Sequence, residues 1–256
     1  MSSVGLSKSV FFASSVVAAL ALAGCSSTTT GTNGGTSGTE QDKGVTGDGV
    51  GIPSSGRETN PDGKPYPTAN IGTKPSSHNA STGKVGNPGN VMKNFKFYGY
   101  PNGDKSQGLQ QVALADFYDP EAKSFRLIHI QAAAVWCGPC NQEAKAAATI
   151  AAELKTKKVV WLAALVETSK QGSPSTQADL DKWLGAYPSD FTHVLDPSNL
   201  NLGVFFDAAA IPWNADLDAR TMEILAGGTG GAGTVEGVRN ELDQWLKFLD
   251  TYTPAK

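Results

Sequence analysis

Two cysteines separated by two residues are the strongest chemical signal in the chain. They are Cys137 and Cys140, in the segment Trp136-Cys137-Gly138-Pro139-Cys140. A disulfide between them would close a very small loop, and closing such a loop removes little entropy from the unfolded chain. The pair would therefore be a weak structural cross-link. It is better suited to a bond that opens and closes, which is the chemistry of thiol–disulfide exchange.

The flanking segments predict where these cysteines lie. An apolar run of buried-strand length covers 126–133, and 141–157 has strong helix propensity with no Gly or Pro. Cys137 is therefore predicted at a strand-to-helix turn, at or just before the helix N-terminus. The unpaired N–H groups and the helix dipole favour a thiolate there. The thiolate is the form of cysteine that attacks a disulfide.

This motif and its flanks resemble the thioredoxin superfamily. The wider pattern is similar to its TlpA/redoxin branch of exported, membrane-tethered proteins, and the resemblance covers about 91–256. It implies an α/β thioredoxin-like fold with a mixed central sheet flanked by helices. It also implies that Cys137 attacks and Cys140 resolves, with active-site support from Trp136, Gly138, Pro139 and Gln131.

Several segments fit that fold. The predicted elements are a strand and turn at 112–117, strands at 159–166 and 191–195, a helix at 176–187, a hairpin of 213–217 with 221–225, and a closing helix carrying Leu242, Trp245, Leu246 and Leu249 on one face.

Ile211-Pro212 looks like the cis-proline of this family. A cis peptide bond is rare except before proline. The resemblance implies that this loop faces the Cys pair and that the backbone of Ile211 pairs with an extended substrate peptide. The alternative is an ordinary trans proline in a loop.

Gln131 departs from the thioredoxin pattern, which has a buried Asp six positions before the first Cys. A neutral amide cannot accept the proton of Cys140. Either this proton leaves through water or another group, or Gln131 is a core polar residue with satisfied hydrogen bonds. On the following helix, Glu143 and Lys145 are interpreted as solvated surface charges.

The N-terminus predicts export. Lys8 is the only charge in the first 39 residues, and the apolar run that follows it at 10–23 is short for a membrane span. Leu22-Ala23-Gly24-Cys25 resembles the bacterial lipobox, which implies a signal peptide at 1–24 and lipidation of Cys25. The alternative is an uncleaved anchor. Ser26 then favours the outer membrane facing the periplasm, or the cell surface.

Residues 25–90 are predicted to be a disordered linker that carries the lipidated Cys25. Between Ser26 and Val50, 17 of 25 residues are Gly, Ser or Thr, and prolines follow. Such a segment has too little apolar area to offset its ordering entropy. The alternative is that part of 60–90 packs on the domain, with Tyr66 and Ile71 as its contacts.

Composition and motifs exclude other functions. The net charge is −3 and no basic stripe is present, which argues against nucleic-acid binding. The segment 228–233 matches G-x-G-x-x-G but lacks the βαβ unit of a dinucleotide site, so it is predicted to be a flexible loop. The three histidines, His78, His129 and His193, share no metal-ligand spacing, and no metal site is predicted. Peroxiredoxins have a Thr or Ser three residues before the reactive Cys. Ala134 stands at that position here, so peroxidase activity is not predicted.

The sequence thus predicts an exported lipoprotein thiol–disulfide oxidoreductase that needs no bound cofactor. Its Gly-Pro dipeptide resembles that of reductants. The resemblance implies as partners an exported protein with a disulfide or thiol pair, such as a c-type cytochrome precursor. A membrane thiol reductase of the DsbD/CcdA type would be the electron donor, and a lipid anchor the membrane contact. The alternative is a non-catalytic binding module of the same fold, for a partner or copper, whose Cys-x-x-Cys is a structural disulfide.

Overall fold

The computed structural model describes residues 50–254. The predicted signal peptide at 1–24, the lipidation site Cys25 and the first part of the predicted linker lie outside these residues. Within the described range, no helix is both long and apolar enough to cross a membrane.

A seven-stranded mixed sheet forms the centre of the domain, in the strand order β2-β1-β5-β4-β3-β6-β7. Strands β3, β4 and β5 run parallel to one another, and the other pairings are antiparallel. The strands are β1 (Lys96–Tyr100), β2 (Gln110–Ala113), β3 (Leu127–Ala134), β4 (Val159–Glu167), β5 (Thr192–Leu195), β6 (Trp213–Asp218) and β7 (Glu223–Thr229).

Helices flank this sheet, as the thioredoxin-like prediction requires. They are α1 (Gly138–Thr149), α2 (Ala151–Thr156), α3 (Gln177–Ala186) and α4 (Val235–Thr251). The predicted apolar face of α4 is buried throughout. The predicted fold class, a mixed sheet flanked by helices, is confirmed.

Strand β3 carries the chain to the Cys pair. All eight of its residues are buried, because β4 and β6 pair with it on either side and helices cover its faces. This explains why its sequence is a continuous apolar run rather than an alternating one. The strand ends at Ala134, three residues before Cys137.

The segment predicted as one helix at 141–157 forms two helices, α1 and α2. The first begins at Gly138, and Ile150 between them leaves the helical conformation with φ −113° and ψ 18°. Its N–H bonds to Ala147 O at 3.0 Å in a tight turn, and its side chain is buried. No Gly or Pro marks this position, so no local pattern predicts the break.

Residues 50–92 lie on the domain and form what we call the strap. The structure therefore differs from the predicted linker over 50–90 and matches the packing alternative. Tyr66 is buried, and its hydroxyl donates to Met92 O at 2.7 Å. Ile71 forms a bridge with Val91 but stays 45% exposed. The strap is held by three main-chain hydrogen bonds to β7 and its turn and by side-chain hydrogen bonds such as Asn60 Nδ2 to Tyr118 O, and composition reveals neither kind.

The strap pairs with the outer edge of β7. The N–H of Ser76 donates to Ile224 O at 2.8 Å, and Ile224 N–H donates to Asn90 O at 2.9 Å. Met92 N–H continues this pattern to Met222 O at 2.9 Å. A strand edge with open donors and acceptors is costly to bury unpaired, and here the strap satisfies it.

His78 fastens the strap to α4. Its side chain is fully buried, with ring centroids 5.0 Å from Phe248 and 4.7 Å from Tyr252. Its Nε2 lies 3.1 Å from Glu223 Oε1, and its Nδ1 accepts from Gly86 N–H at 3.0 Å. His78 is thus a structural residue.

We expect His78→Ala to loosen the strap and lower the free energy of unfolding by about 2–3 kcal/mol, because two hydrogen bonds and two ring contacts are lost. Urea unfolding and limited proteolysis would measure this. Lys84→Ala, at an exposed strap position, is the control. Unchanged stability together with an unchanged cleavage rate in the strap would contradict the expectation.

Candidate active site

Cys137 and Cys140 lie where the sequence predicts, at the turn between β3 and α1. Cys137 is the N-cap of α1, and its sulfur accepts from Cys140 N–H at 3.1 Å. The two residues are joined by a disulfide, with 5.3 Å between their Cα atoms. On reduction, the helix N-terminus and this N–H donor would stabilise a Cys137 thiolate.

Both cysteines are buried, with exposures of 1% for Cys137 and 0% for Cys140, whereas Gly138 and Pro139 between them are exposed. The two cysteines differ in position, because Cys137 caps the N-terminus of α1 and Cys140 lies on the buried face of that helix. The exposed turn of Gly138 and Pro139 is where a partner would approach the disulfide.

Hydrogen bonds from outside the motif hold the active-site turn. The indole Nε1–H of Trp136 donates to Glu167 Oε2 at 2.7 Å, and Glu167 is a buried residue at the end of β4. Asn141 Nδ2 donates to Cys137 O at 2.7 Å, and Tyr187 O–H donates to Asn141 Oδ1 at 2.7 Å. Glu167 and Asn141 are not predicted from the sequence, because nothing in their local pattern marks them as site residues.

Gln131 lies beneath the Cys pair and is completely buried. Its Nε2 donates to Cys140 O at 3.3 Å and to Glu143 Oε2 at 2.9 Å. Its own Oε1 has no hydrogen-bond partner among the described residues. Gln131 therefore connects the second cysteine to a carboxylate.

The interpretation of Glu143 as a solvated surface charge is wrong. Glu143 is 1% exposed, because its position on α1, three residues after Cys140, faces the sheet. Its carboxylate accepts from Gln131, from Asn214 Nδ2 at 3.0 Å and from Ala232 N–H at 2.9 Å. Three converging N–H donors match an ionised carboxylate. Lys145, on the opposite face, is exposed as expected.

The glycine-rich segment 228–233 covers this carboxylate. A Cβ on Gly231 would lie 2.2 Å from Glu143 Oε1, so no larger residue fits there without displacement. Gly230 N–H donates to Pro212 O at 2.8 Å, and Ala232 donates to Glu143. This segment thus links the loop of Ile211 and Pro212 to α1. The close approach of its backbone to Glu143 explains why a glycine is needed there.

The Ile211–Pro212 peptide bond is cis, as expected. Ile211 is half-buried, and Pro212 is buried. The next residue, Trp213, is stacked between Phe205 and Phe206, with ring centroids 5.0 and 5.1 Å away. Trp213 belongs to the same hydrophobic core cluster as both cysteines.

Sequence comparisons give no match to a family model and none to a curated protein. Solved structures do show similarity. A putative thiol:disulfide interchange protein DsbE from Chlorobium tepidum is 22% identical, with 64% of this chain and 98% of that chain covered and a TM-score of 0.46. A secreted thiol-disulfide isomerase from Corynebacterium glutamicum is 18% identical, with 72% and 96% covered and a TM-score of 0.48.

A third structure, the pneumococcal exposed lipoprotein thioredoxin from Streptococcus pneumoniae, is 19% identical, with 59% of this chain and 99% of that chain covered and a TM-score of 0.43. The mixed sheet, the Cys-x-x-Cys at the N-terminus of α1 and the cis-proline, taken together, define a thioredoxin-like domain. This conclusion rests on the chain's own architecture.

Proposed function

We propose that this protein is a thiol–disulfide oxidoreductase that reduces disulfides of exported proteins through Cys137 and Cys140. The observation that carries the proposal is the reversible bond's position. The sulfur of Cys137 caps the N-terminus of α1 beside the exposed residues Gly138 and Pro139, whereas Cys140 lies on the buried face of the helix.

The reaction would run in two exchanges. The Cys137 thiolate attacks one sulfur of a substrate disulfide, which forms a mixed disulfide and expels the other substrate thiolate. Cys140 then loses its proton, attacks the Cys137 sulfur and expels the second substrate thiolate. The substrate gains two electrons and takes up two protons, and the Cys137–Cys140 disulfide is formed.

The proton of Cys140 needs an acceptor. Gln131 cannot take it, because its amide is neutral and donates to Glu143. Gln131 donates to the backbone oxygen of Cys140 and to Glu143, which makes Glu143 the carboxylate linked to this residue, and we assign it the role of accepting the thiol proton through water. Trp136, Gly138 and Pro139 would shape the turn. Ile211 and Pro212 would bind the substrate backbone.

The proposal also covers the cellular location, the electron donor and the substrate of the protein. The lipobox-like segment at Cys25 supports a lipoprotein on the outside of a bacterial membrane, facing the periplasm or the cell surface. Reopening the disulfide requires two electrons from a membrane thiol reductase of the DsbD/CcdA type. An exported protein with a disulfide, such as a c-type cytochrome precursor, would be the recipient.

Insulin reduction by dithiothreitol tests the activity. We expect the wild-type protein to accelerate insulin precipitation, and Cys137→Ser to return it to the rate with dithiothreitol alone, because the attacking sulfur is gone. Cys25→Ser, which removes the cysteine outside the motif, is the control and should leave the rate unchanged. An inactive wild-type protein whose disulfide resists glutathione would support the binding-module alternative instead.

A further inference from the structure

A ladder of four polar side chains runs along one face of the sheet behind the active site. Gln131 pairs directly with Asn214 across β3 and β6, and His129 pairs with Asp216 in the same register. Because alternate residues of a strand share a face, both pairs lie on the side that meets Glu143. The first pair holds Glu143.

The second pair is a buried histidine–aspartate contact that the proposed reaction does not use. His129 Nδ1 lies 2.9 Å from Asp216 Oδ1, and each side chain is 2% exposed. The ring of Trp161, from β4, packs on the imidazole with a centroid distance of 4.2 Å. His129 Nε2 has no hydrogen-bond partner among the described residues.

Three carboxylates act on the charge of this imidazole. Asp216 on β6 is in direct contact with it, and Glu241 on α4 and Glu143 on α1 act at longer range. Burial alone would lower the pKa of His129, but these carboxylates, Asp216 foremost, raise it to about 9. Burial raises the pKa of Glu241, and His129 opposes that rise. The carboxylates around His129 therefore favour its protonated form over the neutral ring.

We propose that His129 is a buried cation whose charge favours the Cys137 thiolate, so that it sets the pH range of the exchange reaction. It is a positioning residue, because its ring contacts Asp216 rather than either sulfur and its charge acts through space. This inference rests on the proposed function.

The coupling must be reciprocal. If the charge on His129 favours the thiolate, then a thiolate at Cys137 favours the charge on His129 by the same free energy. His129 lies two strand residues, or roughly 7 Å, from Gln131. Charges about 10 Å apart interact measurably where water is excluded. The imidazole should therefore titrate differently in the oxidised and reduced protein.

Nuclear magnetic resonance titration of the full chain tests this directly, with dithiothreitol as the reductant. We expect the pKa of His129 to be higher in the reduced protein by roughly 0.5–1 pH unit. His193 is an internal control, because its burial lowers its pKa to about 4 and it lies on β5, away from the ladder. Equal His129 titration curves in both redox states would overturn the proposal.

A variant pair provides the second readout. In reduced protein, His129→Gln should raise the pH at which the Cys137 thiolate absorbance appears by roughly 0.5–1 pH unit, whereas His193→Gln, which removes an uncharged imidazole, should not. A loss of stability without this shift would mean that His129 is only structural. Both readouts set the redox state chemically, so they test the coupling whether or not insulin is turned over. The insulin assay tests the function separately.

Discussion

Replacing Cys140 by Ala is expected to convert the protein from a catalyst into a trap. Cys137 can still attack a substrate disulfide, but the buried sulfur that would release the product is gone. Mixed disulfides on Cys137 should then accumulate, and insulin turnover should fall to the rate with dithiothreitol alone. The position of Cys137 at the N-cap of α1 supports this division of roles, because the N–H donors there favour its thiolate.

The experiment is to express Cys140→Ala in the native host, quench with acid and a thiol-blocking reagent, and separate the complexes on a non-reducing gel. Cys137→Ala is the matched control and should capture nothing. If Cys137→Ala captured the same proteins and Cys140→Ala did not, the attacking and resolving roles would have to be exchanged. The captured proteins would also identify the substrate class.

Glu143→Gln is expected to have the largest effect on stability. The carboxylate accepts from Gln131, Asn214 and Ala232, and a glutamine would turn an N–H₂ group toward at least one of these donors. Removing one partner from a buried charged network costs about 3–5 kcal/mol, because the remaining polar groups stay buried without partners. The urea midpoint should fall accordingly.

Glu236→Gln is the matched control for this variant. Glu236 is exposed in the first turn of α4, where losing its charge should cost about 0.3–1 kcal/mol. Equal urea midpoints for the two variants would contradict the network described for Glu143. Where Glu143→Gln still folds, the release of substrate from Cys137 should also slow, because the Cys140 proton has lost its acceptor.

The parts of this structure that the sequence predicts are local. The run that forms β3, the helix propensity of α1 and the spacing of Cys137 and Cys140 are all read within one stretch of chain, and together they determine the position of the disulfide. The cis Ile211–Pro212 bond was predicted only through resemblance, because no local pattern determines the isomer of a proline peptide.

Glu143 could have been placed by helical phase. Cys140, Glu143, Ala144 and Ala147 share the buried face of α1, so a carboxylate at that spacing is a candidate for burial. Its partners could not have been predicted, because Asn214 and Ala232 lie far away in the sequence. The buried pair of His129 and Asp216 could not have been predicted either, because it depends on the register between β3 and β6.

The strap was not predictable from apolar content, because its attachment depends on main-chain hydrogen bonds and on His78. Its position has a consequence for association between molecules. An unprotected edge strand can pair with the edge of another chain and start aggregation. Residues 76 and 90 already occupy both main-chain groups of Ile224 on β7. A protease cut in the strap would therefore leave the disulfide in place and yet make the protein prone to form intermolecular sheets.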